Sequence, residues 1–321
     1  MENQSLSICA IVITFNRANL LLKCLNSIKC QTLLPKEIII VDNHSNDGTR
    51  DLLNQNGFID NSPISNNEFG ECYCKEYLNN NNRSIKITYL YKKINDGGAG
   101  GFYAGMKLAY EMGYEWIWMM DDDGKPKATE LEELYKAAIK NNLYYINALV
   151  VNENNPTELA FDLSVKLGRC VDNYLDREVY YDSINPFNGT FINKNVIEKI
   201  GFIKKELFIW GDETEYTMRA KFNGFVIGTV CSAIHFHPAK HPEFYDIIPF
   251  VKWKKCAFHK PIYYRNYGYI YWKYRKSSFF KSLLLYTIAF GLRFQFKKLY
   301  NFYRYTLKGV NEDWTPINMT R

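Results

Sequence analysis

The stretch Trp116-Ile117-Trp118-Met119-Met120-Asp121-Asp122-Asp123-Gly124 decides how this chain is read. An unbroken apolar run bounded by polar residues fits a strand buried on both faces, as in a parallel sheet. Three carboxylates follow at once, so they sit at the carboxyl end of that strand, where open α/β sheets bind ligands. Neighbouring carboxylates repel one another unless a cation neutralises them. Asp121 and Asp123 can point the same way and share one hard divalent ion. Asp122 then faces elsewhere or meets a ribose. Such an ion keeps several waters and bridges substrate phosphates.

Working outward, the same rhythm recurs. Upstream, the apolar runs Ile8–Thr14, Glu37–Val41 and Ile85–Tyr91 read as strands, and the stretches Ala18–Lys29, Thr49–Asn54 and Gly98–Met112 as helices. Downstream come a helix over Ala128–Lys140 and a strand over Tyr145–Val151. A short strand near Thr190–Ile192, a helix over Glu213–Phe222 and a strand over Val226–Val230 follow. Alternating strands and helices with short links predict an α/β fold, a Rossmann-like, mostly parallel sheet with helices on both faces. Residues 56–84 break the rhythm and carry an Asn79–Asn82 run, so they are expected to be a surface insertion. One domain over 1–240 and a helical region over 241–321 are expected. The first residues hold no basic stretch before a long apolar run and read as a strand rather than a signal peptide.

The net charge of +6 conceals an asymmetry. Between Ile247 and Val310 there are 14 Lys or Arg and no Asp or Glu. Removing those 14 from the total of 40 leaves 26 basic residues against 34 acidic ones, a net of −8 elsewhere. The same region holds 20 of the 52 aromatic residues. An acidic body with a basic, aromatic tail points to an anionic partner for the tail. The most apolar part, Leu283–Leu292, is far short of the ~20 residues that span a bilayer. Eight cysteines show no paired metal spacing and are expected to be reduced thiols.

Four further groups carry chemistry. Asn95-Asp96-Gly97-Gly98-Ala99-Gly100-Gly101 lets backbone approach a ligand at a helix N-terminus that favours phosphate. Thr14-Phe15-Asn16-Arg17 and Val41-Asp42-Asn43 both close strands at their carboxyl ends. There Arg17 can pair with phosphate and Asp42 can accept from a nucleobase N–H. Trp210-Gly211-Asp212-Glu213 opens a helix. Asp212 or Glu213 can serve as the base that removes a proton from a hydroxyl. Ile234-His235-Phe236-His237 puts two histidines on one strand face, either of them a candidate third metal ligand.

Taken in order, TFNR, VDN, NDGGAGG, MDDDG, WGDETEY and HFH resemble the family-2 inverting glycosyltransferases of GT-A fold. The likeness is to the bacterial galactofuranosyl- and rhamnosyltransferase group in particular. It runs from about Ile8 to His237 and continues weakly through Tyr263-Tyr264-Arg265-Asn266. The resemblance implies that Thr14, Asn16, Arg17, Asp42, Asn95, Gly98 and Asp122 line a nucleotide-sugar site. It implies Mg2+ or Mn2+ on Asp121, Asp123 and His235, with Glu213 as the base. Many relatives carry Asp at that last position, which keeps Asp212 in contention. The donor it implies is UDP-galactofuranose, with TDP-rhamnose as alternative. The implied acceptor is a glycan or lipid-linked oligosaccharide.

Two rivals were weighed. A nucleotidyltransferase carries a glycine-rich basic signature after its first strand, which TFNRAN lacks. A non-catalytic module binding an anionic polymer would explain the tail but leaves MDDDG and WGDETEY without a role, so no nucleic-acid partner is expected. The tail, Val251–Lys308, is expected to form amphipathic helices on the inner, cytoplasmic face of an anionic membrane. A homo-oligomer interface is the alternative use of its aromatics.

Overall fold

The computed structural model describes residues 6–78, 83–239, 244–248, 251–254 and 261–317, the segments 244–248 and 251–254 by backbone alone. The Asn79–Asn82 run and the expected domain boundary at 240 lie outside the described residues.

The chain forms two compact units: residues 1–205 with 219–240, and residues 206–218 with 241–321. The second therefore takes in a short segment that precedes the boundary expected from sequence.

In the first unit the elements run β1 (Ile8–Thr14), α1 (Ala18–Lys29), β2 (Glu37–Asp42), α2 (Thr49–Gln55), β3 (Ser65–Asn66), β4 (Gly70–Leu78), β5 (Ser84–Lys92) and α3 (Gly97–Glu111). Next come β6 (Trp116–Asp121), β7 (Lys125–Pro126), α4 (Glu130–Asn141), β8 (Tyr145–Asn152), β9 (Val179–Tyr181), β10 (Asn188–Asn193) and α5 (Lys194–Ile200). Helix α6 (Asp212–Phe222) crosses between the units, and β11 (Ile227–His237) returns to the first. The sheet order is β3-β4-β5-β2-β1-β6-β10-β8-β11-β7, with β9 on β11. Strands β5, β2, β1 and β6 are mutually parallel, as are β8 and β11. β10 lies antiparallel between β6 and β8.

The apolar runs do what their composition requires: every residue of β1 and β2 is buried. One face of β1, Ile8, Ala10 and Val12, joins a core with Leu21, Cys24, Leu25 and Ile28 of α1 and Leu131 and Leu134 of α4. On the other face, Ile11 meets Gly105 of α3, which also lies near Val41 of β2. Helices thus cover both faces. All three loops that follow β1, β2 and β6 emerge at one sheet end, because these strands run parallel in register.

The stretch at 56–84, expected as a surface insertion, carries the strand β4 at Gly70–Leu78, paired antiparallel along β5. Its alternation is faint in sequence because β4, with only the two-residue β3 outside it, fully buries just Gly70, Cys72 and Tyr73. The strand expected at Val226–Val230 runs on to His237. A register shift between Val230 and Ile234 carries β11 past the polar residues that suggested a stop.

In the second unit β12 (Phe244–Ile248) and β13 (Val251–Lys254) pair antiparallel, so the tail does not begin as helix at Val251. Helices α7 (Pro261–Tyr274), α8 (Lys276–Gly291) and α9 (Phe296–Val310) follow. Tyr264, Phe290 and Phe302 form their core. Helices α8 and α9 are separate because Phe294 takes a left-handed backbone (φ 54) and turns the chain. Helices α7 and α9 touch backbone to backbone: a Cβ on Gly268 would lie 2.6 Å from the Thr306 carbonyl oxygen.

Candidate active site

Turn geometry at the strand ends assembles a cluster of side chains in the first unit. Asp42 closes β2 fully buried. It accepts from the Ser45 N–H at 2.7 Å and the Tyr89 hydroxyl at 2.7 Å. Burial pushes its carboxyl above the usual range, against those two hydrogen bonds. The Ser45 side chain is a further partner of the same carboxyl, so Asp42 is enclosed by the turn it closes. Asn16 sits in a left-handed turn (φ 52). Its side chain accepts from the Asn46 N–H at 2.8 Å, which ties the loop after β1 to the loop after β2.

The three aspartates after β6 face different partners. Asp122 is buried and accepts from the Thr14 hydroxyl at 2.7 Å and from Arg17 Nη1 at 3.1 Å. Burial raises its pKa to about 6, with Thr14 and Arg17 pulling the other way. Asp123 accepts from the same Arg17 nitrogen at 3.0 Å and meets His237 Nε2 at 3.2 Å. Although burial opposes ionisation, His237 and Arg17 hold its carboxyl below the ordinary range. Asp121, half-buried, ends the strand. Thr14, Arg17, Asp122 and Asp123 therefore form one connected group, as their positions at parallel strand ends require.

The histidines divide, and the expectation of His235 beside Asp123 is corrected: His237 holds that position. His235 lies deeper along β11, opposite Val150 of β8 and Pro126 of β7. It is fully buried, with Nδ1 3.1 Å from both oxygens of Glu130. Trp118 Nε1 donates to the same carboxylate at 3.2 Å. His235 Nε2 has no hydrogen-bond partner. It packs on Gly124, where a Cβ would come within 2.2 Å of it. Any side chain at Gly124 would thus push the aspartate turn off its support.

A hard divalent ion fits this donor set. Two ligand atoms on adjacent corners of an octahedron with bonds of about 2.1 Å stand about 3.0 Å apart, close to the Asp123–His237 spacing of 3.2 Å. Among the described residues no three His, Cys, Asp or Glu side chains already converge as a metal cage. An ion here would complete its shell with water and substrate phosphate, as Mg2+ commonly does.

Asn95 is exposed and caps its own turn, accepting from the Gly97 N–H at 2.9 Å. Gly98 opens α3 with free space where a side chain would stand. Buried Lys92 pairs with Asp96 beside them.

In the second unit, Asp212 and Glu213 begin α6. Asp212 is 5% exposed, whereas Glu213 is only half-buried and accepts from the Gly211 N–H at 3.1 Å. The preceding loop is backbone-strained: Phe208, Trp210 and Gly211 all have positive φ, of 64, 62 and 102. Asn266 of α7, fully buried, holds it. Its amide lies within hydrogen-bond reach of the carbonyl oxygens of Leu207 at 2.7 Å, Ile209 at 2.9 Å and Trp210 at 2.8 Å. Arg265 adds the Glu206 carbonyl at 2.8 Å, and the Tyr274 hydroxyl reaches Glu215 at 2.8 Å.

Sequence reasoning missed Tyr89, Ser45 and Glu130. Tyr89 was detectable as a polar tip inside an apolar strand. Glu130 was hidden in the acidic run Glu130–Glu133, which reads as an ordinary first helical turn.

The profile of "Glycosyl transferase family 2" matches residues 9–58 and 58–201. Galactofuranosyltransferase GlfT1 of Mycolicibacterium smegmatis is 30% identical over 253 residues, 75% of this chain and 74% of that protein. Its namesake from Mycobacterium tuberculosis H37Rv is 33% identical over 248 residues, 75% of this chain and 73% of that one. Among solved structures, S. aureus TarS 1–349 superposes with a TM-score of 0.51 at 15% identity, covering 98% of this chain and 94% of that one, a likeness of fold. With more than half its length under the family profile and its sheet ends built as above, the chain belongs to glycosyl transferase family 2.

Proposed function

We propose that this glycosyltransferase moves galactofuranose from UDP-galactofuranose to a hydroxyl of a lipid-linked glycan, with inversion at the anomeric carbon. The observation that carries the reading is the group Thr14–Arg17–Asp122–Asp123–His237 at the ends of parallel strands, beside buried Asp42. The two galactofuranosyltransferase relatives support the choice of sugar. Arg17 would stand as the cation nearest the diphosphate, and Asp42, held by Ser45 and Tyr89, would fix the loop that receives the base. Asp121, Asp123 and His237 would hold Mg2+ or Mn2+, whose charge stabilises the leaving diphosphate. Glu213 takes the proton from the acceptor hydroxyl as that oxygen attacks the face opposite the diphosphate. A single displacement inverts the centre and leaves no covalent sugar–protein intermediate.

The test incubates the full chain with UDP-galactofuranose, UDP-galactopyranose, UDP-glucose and TDP-rhamnose. It reads both the melting midpoint and release of nucleoside diphosphate. UDP-galactofuranose alone is expected to raise the midpoint and release UDP. TDP release from TDP-rhamnose, with no response to UDP-galactofuranose, overturns the assignment.

A further inference from the structure

Helices α8 and α9 leave one apolar edge uncovered. On α8, Phe280, Leu284 and Ile288 recur at four-residue spacing and are exposed; on α9, Phe296, Tyr300, Tyr303 and Leu307 recur at three- to four-residue spacing and are exposed too. The two rows are neighbours. Tyr303, within the α9 row, hydrogen-bonds Thr287 beside Ile288 at 2.5 Å, and Tyr286 stacks on Phe302 at 4.3 Å beneath them. The turn between the helices extends the edge, with Leu292 and Phe294 turned outward and Phe294 80% exposed. Lys281, Arg293, Lys297 and Arg304 flank it, all exposed. The sequence carries no Asp or Glu between residues 247 and 310.

We propose that this edge docks on an anionic lipid surface, its apolar rows among the acyl chains and its cations at the headgroups. The chemistry selects lipid over other partners. Nucleobases stack on aromatic faces, whereas half of this edge is aliphatic. A protein interface draws its affinity from a core depleted in Lys, with charges of both signs at its rim, and here the rim carries one sign only. No helix among the described residues is long and apolar enough to cross a membrane. At 16 residues α8 spans about 24 Å, so it lies along the surface. The proposal does not depend on which sugar is transferred.

Full-length protein is sedimented with phosphatidylcholine vesicles, with and without phosphatidylglycerol. Binding is expected only with phosphatidylglycerol present, with release by high salt. Lys281→Glu and Lys297→Glu should each weaken it roughly fivefold or more. Leu284→Glu with Phe296→Glu should abolish it, while the melting midpoint and nucleotide protection stay unchanged. Absence of binding to phosphatidylglycerol vesicles at low salt overturns the proposal. So does a dimer by light scattering that Leu284→Glu dissociates without any vesicle binding, or binding to single-stranded oligonucleotide in preference to vesicles.

Discussion

On the proposed function the base is Glu213, the more accessible of the adjacent pair, while Asp212 is buried at the helix start. Glu213→Gln is expected to lower turnover by roughly 100-fold or more and to leave nucleotide protection in thermal melts unchanged. Asp212→Asn should be milder, and the reverse ranking moves the base to Asp212. A second residue-scale prediction concerns Gly124. The Cβ of Gly124→Ala would meet His235 Nε2 at 2.2 Å, so the variant should lose about 1–3 kcal/mol of stability by overpacking and most of its activity. Adding His235→Ala should restore part of the stability, a coupling measurable as a double-mutant cycle. The aspartates were legible in sequence because three like charges after a buried strand have few uses. Which histidine meets them was not, because a β-strand period puts both on one face and only the packing of α4 decides their depth.

Among elements, the loop before α6 depends on a helix far along the chain. Its turned carbonyls have a common donor in Asn266, so Asn266→Ala leaves buried acceptors unsatisfied. The expected result is a fall in kcat of about 100-fold from a misplaced base, with donor KM and nucleotide protection near wild type. A variant that loses donor binding in step with kcat would make Asn266 a general stability residue instead. Gly309→Ala tests the α7–α9 contact: a Cβ there would sit 1.9 Å from the Arg265 carbonyl oxygen. It should lower the melting midpoint by the equivalent of about 1–3 kcal/mol. Element type was readable from hydropathy in β1, β2, β5 and β6, where the apolar runs are strong. It faded at β4, and at the break after Gly291, where a phenylalanine rather than glycine or proline turns the chain.

At the scale of the whole molecule, bound nucleotide should register as stability. UDP at a hundredfold excess over its dissociation constant adds about 2.7 kcal/mol, seen as a raised melting midpoint. With Asp123 held ionised next to His237 and Arg17, that rise should require Mn2+ or Mg2+ and vanish with EDTA. Equal protection without the metal would remove it from the site. The charge partition was plain in the sequence, but the division into units was not. Residues 206–218 belong with the tail through hydrogen bonds to Asn266 and Arg265, which no local pattern announces. This interleaving sets an order of events on the ribosome. The sheet ends bearing Asp42 and Asp121–Asp123 are synthesised first, and N-terminal parts of a chain fold first. The carbonyls of Leu207, Ile209 and Trp210 then emerge well before the amide that ties them. On the proposed function, a nascent chain halted between the two would grip a nucleotide yet lack a shaped base with which to discharge it, so the protein would acquire its chemistry last.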